Sequence, residues 1–255
     1  MSPILAVLRV ELRLLRHDPL PAALLVGMPI VLMVMLSRAM DLAIADEGYL
    51  GVTGSAQTVP GMACVFAFFA TAIASFSVFR EHGWRTWPRL RATGLSGRTL
   101  LIAKLILPAA MLVAQHLLLF GFGVLFLHFD NAGPWGAIAL IAASLSVVVL
   151  TAGIAATAVL STVQQVNAVV NLGAMVFGGL GGGFVPVNAL PHWMGDIAFI
   201  SPVYWAMKAY RAVILDGEGY GVIAVPCLVL LGYAAIFALI AARWLRIDAP
   251  KRTWS

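Results

Sequence analysis

Six long apolar stretches constrain this chain more than any other feature of its sequence. They lie at 21–40, 60–79, 101–127, 135–160, 167–185 and 222–243. Each approaches or exceeds the roughly 20 apolar residues that an α-helix needs to cross the hydrocarbon core of a bilayer. Only 11% of the 255 residues are charged, against about 25% in soluble domains. The sequence therefore predicts an all-α polytopic membrane protein with six transmembrane helices in one domain, residues 1–255.

The distribution of basic residues predicts how these helices are oriented. If six spans alternate in direction, 13 of the 16 Lys and Arg residues fall on the side that carries both termini, and three fall on the other side. Lys and Arg concentrate in the cytoplasmic loops of membrane proteins. Both termini are therefore expected to be cytoplasmic. The net charge of +5 then reflects orientation, and no nucleic acid partner is expected.

Residues 1–20 carry the pattern of an amphipathic helix. Arg9, Arg13 and Arg16 recur at spacings of four and three, which places them on one stripe of a helix, and leucines occupy much of the remainder. Helices of this kind lie in the membrane interface with their basic groups towards lipid phosphates. Two alternatives are the positive flank of a first span and a signal peptide. The apolar run that follows is long for a signal peptide, and five more spans succeed it.

The longest predicted cytoplasmic loop, 80–100, concentrates positive charge. Six of the 16 basic residues fall within positions 80–104. One explanation is that such loops are basic in order to fix orientation and to contact anionic lipid. However, Trp84 and Trp87 lie among these arginines, and aromatic residues and Arg are enriched at protein interfaces. The loop is therefore also predicted to be a docking surface for another protein.

The segment 186–221, on the opposite side, predicts two short helices rather than a hydrophilic linker. Pro191 precedes the first helix, and Ser201 is a favourable N-cap with Pro202 at the first helical position of the second. Basic residues make the second helix a poor span. We expect a re-entrant hairpin, and simple anchoring at the outer membrane surface would explain the same pattern.

The sequence contains no recognisable catalytic or metal-binding constellation. It lacks the phosphate loop G-x-x-x-x-G-K-[ST], and its five His and two Cys are scattered. No charged residue lies well inside a predicted span, which disfavours proton coupling and points to another chain as the energy source. Four polar residues within spans are candidates for a translocation path: Gln115, His116, Asn167 and Asn171. Hydrogen bonds between helices explain each of them at least as well.

Two stretches, in this order, resemble the permease subunits of type-two ABC (ATP-binding cassette) exporters. The first runs from Phe79-Arg80-Glu81 through Arg85-Thr86-Trp87-Pro88-Arg89-Leu90-Arg91 to Lys104, and is similar to that family's R-E-x-x-x-G-T-x-[ED]-R-L pattern. The second comprises Gly183-Phe184-Val185-Pro186, Leu190-Pro191-His192-Trp193, Ser201-Pro202-Val203-Tyr204-Trp205 and Tyr210-Arg211, and is similar to the family's outer hairpin. In that family this loop holds the coupling helix, which contacts the ATPase. Pro88 replaces the acidic residue of the family pattern, Gly94 replaces a later proline and Ala103 replaces the glycine before Lys104, so the extent of the coupling helix stays open.

The resemblance implies the membrane subunit of an ATP-driven exporter that moves an amphipathic drug, lipid or lipid-linked glycan. It implies two copies of a separate ATPase, which would hold ATP and magnesium, and a second permease chain, identical or homologous. This chain itself would have no cofactor and would not be an enzyme. It would lie among the lipids of the plasma membrane, expected to be the inner membrane of a prokaryote.

The resemblance also assigns roles to residues of this sequence. The ATPase-docking surface would comprise Glu81, Arg85, Arg89, Leu90 and Arg91. The N-terminal amphipathic helix would be the family's interfacial elbow, marked by Arg9, Arg13 and Arg16. The outer hairpin would be marked by Pro186, Pro191, Trp193, Pro202, Tyr204 and Arg211.

Three other functions remain open at this point. A secondary carrier or channel would work without an ATPase, and it predicts activity and ion dependence in the purified chain. An intramembrane lipid-modifying enzyme would need a converging polar site. A membrane scaffold predicts no effect on the ATP turnover of any partner.

Overall fold

The computed structural model describes residues 3–83 and 97–245. Apart from two short 3-10 turns, Val187–Ala189 and Ala198–Ile200, the regular structure of these residues is α-helical. The helices are α1 (Pro3–His17), α2 (Leu20–Asp46), α3 (Ser55–Gly83), α4 (Gly97–Phe126), α5 (Trp135–Val159), α6 (Val163–Leu180), α7 (His192–Ile197), α8 (Pro202–Ile214) and α9 (Tyr220–Trp244). The predicted all-α fold is confirmed.

Six of these helices are long and apolar enough to cross a membrane, namely α2, α3, α4, α5, α6 and α9. The predicted number of transmembrane helices is therefore confirmed. Prolines interrupt the interiors of several of them, including Pro29 in α2 and Pro108 in α4. Membrane helices tolerate such prolines because neighbouring groups satisfy the freed backbone carbonyls.

The first two spans are longer than the hydropathy pattern predicts. α2 continues six residues beyond the expected end at position 40, because Ile44 is fully buried and the carboxylate of Asp41 accepts a hydrogen bond from Gly54 N at 2.5 Å. α3 begins five residues before the expected start at position 60, where Gln57 and Thr58 are fully buried. The hydropathy pattern leaves such end residues out of a predicted span because it reflects side-chain polarity and takes no account of burial by neighbouring helices.

The fifth span is shifted towards the N-terminus. The prediction was 167–185, whereas α6 covers Val163–Leu180. Thr162 caps the helix by accepting a hydrogen bond from Gln165 N at 3.2 Å, so the polar run after α5 begins a helix instead of separating two spans. At the other end, Gly182 has a φ of +80°, a conformation that favours glycine and ends the helix.

Helix α3 forms the centre of the bundle. It packs against α2, α4, α5, α6 and α8. Within its most apolar stretch 72% of the residues are buried in the protein, against 22% for α6. Val59, Met62 and Ala63 on α3 join Ile141 and Leu145 of α5 in the main hydrophobic core. Four of the other five spans therefore contact α3, whereas α9 packs against α5 and α8.

The bundle has two ends with different contents. The α1 end contains α1, the end of α3, the start of α4 and the connection between α5 and α6, where Phe79 packs with Val166 and Leu160. The hairpin end contains the connections 47–54 and 127–134 and the segment 181–219. There, Ala132 N donates to Ile214 O and Thr53 Oγ1 donates to His128 O.

Candidate functional site

A buried ion-pair cluster lies at the α1 end. The Glu11 carboxylate of α1 accepts hydrogen bonds from Arg80 Nη2 of α3 at 2.5 Å and from Lys104 Nζ of α4 at 2.7 Å. Glu11 is 3% exposed and Lys104 is 2% exposed. We call Glu11, Arg80 and Lys104 the Glu11 cluster. One carboxylate therefore joins three helices at a point that water scarcely reaches.

The protonation of Glu11 follows from its two partners. Burial by itself would raise the pKa of Glu11, but the charges and hydrogen bonds of Lys104 and Arg80 outweigh it and hold that pKa below its ordinary value of 4.5. The carboxylate is therefore ionised at neutral pH. A buried carboxylate in contact with two cations is electrostatically stable only while all three helices keep their positions.

A cavity of about 400 Å³ adjoins the Glu11 cluster. Its walls come from α1, α3 and α4 and the residue that follows α1. Glu11, His17, Asp18, Ser77 and Arg80 contribute polar groups. The rest of the lining is apolar and includes Phe76 and Met111. Among the described residues, the cavity separates part of α1 from the spans, and the contacts of α1 with the spans include the Glu11 cluster and packing against α4.

A second charged cluster lies at the hairpin end. Arg211 of α8 donates from Nη1 to Gln57 Oε1 of α3 at 2.7 Å, and from Nη2 to the carboxylate of Glu47 just after α2. Gln57 Nε2 in turn donates to Gly182 O at 2.7 Å. We call Arg211, Glu47 and Gln57 the Arg211 cluster. Because the Arg211 and Glu47 side chains are 21% and 14% exposed, this ion pair is in partial contact with solvent.

Close backbone packing adds to the Arg211 cluster. A Cβ added at Gly61 of α3 would lie 2.1 Å from Gly183 O, so only glycine allows this approach of the two chains. A Cβ added at Gly181 would clash with Val203, and one added at Gly183 would clash with Val65. The glycine-rich end of α6 therefore allows close packing against α3 and α8.

The two predicted hairpin helices are present as α7 and α8. Ser201 caps α8 by accepting from Val203 N at 3.1 Å, and its own hydroxyl donates to Phe177 O of α6 at 2.7 Å. The predicted hairpin residues occupy different environments. Pro186 and Pro202 are buried, Tyr204 and Arg211 are half-buried, and Pro191 and Trp193 are exposed.

The four residues predicted for a translocation path do not come together. Gln115 and His116 are buried in α4, which packs against α1, α2, α3 and α5. Asn167 and Asn171 are exposed on α6, which packs against α3, α7 and α8. The central helix α3 therefore lies between the two pairs. His116 Nδ1 forms a hydrogen bond with Leu112 O at 2.8 Å, whereas both side-chain amide atoms of Gln115 are buried and have no hydrogen-bond partner among the described residues.

Sequence comparison identifies the family. The sequence model of the family described as ABC-2 type transporter matches residues 4–215. The chain belongs to the ABC-2 type transporter family. The match covers the whole of the Glu11 cluster and the Arg211 cluster. A search of curated proteins finds no match.

As an ABC-2 transporter permease, the chain is a multi-pass membrane subunit of a family in which a separate ABC ATPase normally supplies the ATPase activity. Four residues predicted to dock that ATPase, Arg85, Arg89, Leu90 and Arg91, lie outside the described residues. Glu81 lies in the last turn of α3, and its side chain is also outside them. Within residues 3–83 and 97–245, no three His, Cys, Asp or Glu side chains are placed to hold a metal ion.

The elbow arginines Arg9, Arg13 and Arg16 are all exposed on α1 of this ABC-2 permease. Sequence reasoning overlooked the neighbouring Glu11, although a signal for it exists. Glu11 is the only acidic residue before Asp18, and it lies at helical spacing from leucines on the apolar side of α1. A lone carboxylate on the apolar face of an amphipathic helix indicates a buried cationic partner. Arg80 and Lys104 were predicted only as part of a basic cluster.

Glu47 and Gln57 were likewise overlooked as partners of Arg211. Their positions at the end of α2 and the start of α3 were read as a polar loop. No spacing rule links them to Arg211, which is 164 residues from Glu47 and 154 from Gln57 in the sequence. The packing of α2 and of α8 against α3 brings the three together.

Proposed function

We propose that this chain is the membrane subunit of an ATP-driven exporter for an amphipathic drug, lipid or lipid-linked glycan. Two copies of a separate ATPase would bind ATP and magnesium and would contact the segment between α3 and α4. Closure of the ATPases would displace the ends of these helices and open a path across the bilayer. The observation that carries the proposal is the family match over residues 4–215.

The positive charge of the segment supports the proposed docking surface. Between Gly83 and Gly97 the sequence contains Arg85, Arg89 and Arg91, and Trp84 and Trp87 lie among them. Arg and aromatic side chains contribute strongly to protein interfaces. The same charge supports a cytoplasmic position for this segment and for both termini. The proposed membrane is the plasma membrane, the inner membrane of a prokaryote.

A second permease chain would cover the outward face of α6. Asn167 and Asn171 are exposed there, and Leu172 and Met175 are 66% and 65% exposed. Polar side chains of membrane helices rarely face lipid, and they commonly form hydrogen bonds to other helices. We therefore propose that two permease chains, identical or homologous, pair along this face, and that the translocation path runs beside it.

An apolar cavity of about 250 Å³ supports an amphipathic cargo. It opens between α3, α5, α6 and α9, and its lining includes Phe68, Ala152, Gly173 and Phe237. Alkyl chains of lipids or hydrophobic drugs match such a lining. The cavity lies on the same side of α3 as Asn167 and Asn171, which places polar and apolar surface near each other.

The test is copurification with candidate ATPases in detergent, followed by measurement of ATP turnover. We expect the wild-type chain to retain an ATPase, and the double variant Arg89→Glu, Arg91→Glu to lose it. The matched control is Lys208→Glu, a charge reversal on α8 at the hairpin end, where Lys208 contacts the Trp205 ring. The control should retain the ATPase.

Gel filtration and thermal unfolding establish that each variant is folded. If no ATPase copurifies with a folded wild-type chain, the proposal is wrong, and a secondary carrier or channel becomes the better explanation. If Lys208→Glu abolishes copurification as strongly as the double variant, the docking surface is not the segment between α3 and α4.

A further inference from the structure

We infer that Glu11 is a positioning residue that fastens α1 to both ends of the ATPase-docking segment, so that α1 moves together with that segment during the transport cycle. This inference rests on the proposed function, because it assigns a role in coupling. The contact between the three helices does not depend on that function and is tested separately below.

The position of the two cations carries the argument. Arg80 lies in the last turn of α3, which ends at Gly83. Lys104 lies in the second turn of α4, which begins at Gly97. The docking segment connects these two turns. Because the single carboxylate of Glu11 accepts from both cations, α1 contacts the helix turn that precedes the segment in the sequence and a turn of the helix that follows it.

Because the pair of Glu11 with Lys104 is buried, it holds α1 firmly against α4. Lys104 is 2% exposed and Glu11 is 3% exposed, so neither charge can exchange its partner for bulk water without a rearrangement of α1 or α4. Separating a buried pair costs far more than separating an exposed one. Arg80 has a side chain that is 27% exposed and can follow the carboxylate over a larger range. A displacement of the base of α4 therefore displaces α1 as well.

The cavity beside the cluster reduces the packing through which the described parts of the spans could transmit movement to α1. Over part of its length α1 faces an open volume of about 400 Å³ rather than packed side chains. Of the spans, α4 makes the most extensive contact with α1, and this contact includes the pair of Glu11 with Lys104. Loss of the Glu11 charge should therefore weaken the link while the six-span bundle remains folded.

The experiment measures two distances by pulsed electron resonance in the complex with the ATPase, in lipid nanodiscs. Spin labels at Arg13→Cys on α1 and at Ile102→Cys on α4 are each paired with a reference label at Trp193→Cys at the hairpin end. Ile102 and Trp193 are both 63% exposed. Cys64 and Cys227 are buried and stay in place, and a chain without added cysteines measures their background.

The comparison is between the resting complex and the complex trapped with ATP, magnesium and vanadate. In the otherwise wild-type chain we expect both distances to change. In Glu11→Gln, which removes the charge at nearly constant shape, the α4 distance should still change, and the α1 change should fall below half of its wild-type size. Glu11→Asp should restore at least half of it. Asp18→Asn, which removes an exposed carboxylate from the wall of the same cavity, should behave as wild type.

A second variant keeps the inference testable if Glu11→Gln cannot be purified. The double substitution Glu11→Leu, Lys104→Met replaces the buried charges by apolar side chains and preserves packing. It should fold and show the same loss of the α1 change. The inference is overturned if either variant keeps the full α1 change, or if α1 stays in place in the wild-type complex while α4 moves.

The permease alone separates this inference from the proposed function. Without any ATPase, the distance between labels at Arg13→Cys and Ile102→Cys should have a single narrow distribution in the wild type. Its width should at least double in Glu11→Gln. Failure of the ATPase to bind would contradict the proposed function and leave this contact intact. Equal widths in the two chains would contradict the contact even if the ATPase binds.

Discussion

The two ends of this permease are held together by different kinds of interaction. At the α1 end, a carboxylate that is 3% exposed accepts from two cations and joins three helices beside a cavity. At the hairpin end, glycines allow the backbones of α3 and the segment after α6 to touch, and the ion pair of the Arg211 cluster is partly exposed. Buried ion pairs therefore stabilise the α1 end, whereas close backbone contacts stabilise the hairpin end.

This difference predicts how each end responds to substitution. A buried charge that loses its partner is strongly destabilising, whereas a partly exposed pair contributes little because water replaces the lost partner. Close backbone contacts respond to added volume and not to charge.

Removal of the Glu11 carboxylate should have the largest effect. Glu11→Ala removes the carboxylate that pairs with the buried Lys104, and we expect a loss of about 3–5 kcal/mol in unfolding free energy. The double variant Glu11→Leu, Lys104→Met should recover at least half of that loss, because it removes both buried charges. Denaturation in mixed micelles measures both values. A double variant less stable than Glu11→Ala would show that charge is not what governs this end.

A methyl group at Gly61 should have the largest effect at the hairpin end. Its Cβ would lie 2.1 Å from Gly183 O, so Gly61→Ala must separate α3 from the segment after α6. We expect a loss of about 1–3 kcal/mol from this overpacking. Gly27→Ala is the matched control, because no atom lies within 4 Å of the Cβ added there. The same unfolding measurement should find this control neutral, and equal effects would refute the role of close packing.

Substitution of Arg211 should lower the unfolding free energy less than substitution of Gly61. Arg211→Met removes the donor to Gln57 Oε1, which is buried, and the partner of Glu47. We expect a loss of about 1 kcal/mol, the usual value for a hydrogen bond of this kind. Arg211→Lys keeps the charge but loses the planar guanidinium that donates to both Gln57 and Glu47. It should therefore recover only part of the loss. A loss larger than that of Glu11→Ala would reverse the ranking of the two ends.

A change of pH should have the smallest effect in the neutral range. Lys104 and Arg80 hold the pKa of Glu11 below 4.5 against the opposing effect of burial. A carboxyl with a lowered pKa contributes stability that is complete above its unfolded pKa and is lost as the pH falls through its folded pKa. A spin label at Arg13→Cys should therefore keep the same mobility between pH 7 and 5 and become more mobile below pH 4.5. Glu11→Gln should show no such transition.

The sequence was sufficient to predict the fold, because span length and hydropathy depend on local composition. It also predicted the cap at Ser201, since a hydroxyl before Pro202 satisfies a free amide without help from distant residues. It misplaced α6 because Thr162 caps that helix inside a polar run that looks like a break between spans. It misplaced the limits of α2 and α3 because burial of Ile44 and Gln57 depends on neighbouring helices.

The two charged clusters could not be predicted for the same reason. Each joins residues far apart in the sequence, and the pairing follows from which helices touch α3 and α4. Gln115 and Asn167 look alike in sequence as polar residues in apolar spans, yet one is buried and the other exposed. The docking roles of Arg85, Arg89, Leu90 and Arg91 remain predictions from the sequence.

The long sequence separation within the Glu11 cluster also sets the order of events during synthesis. Glu11 leaves the ribosome 69 residues before Arg80 and 93 residues before Lys104. At 5–20 residues per second, this second interval lasts roughly 5–20 s. Until Arg80 emerges, the Glu11 carboxylate has neither of the cations that it contacts in the folded protein, and the arginines of α1 can hold this helix only at the lipid surface. Helix α1 is therefore made before its partners, and its attachment to α4 forms only after Lys104 has been synthesised.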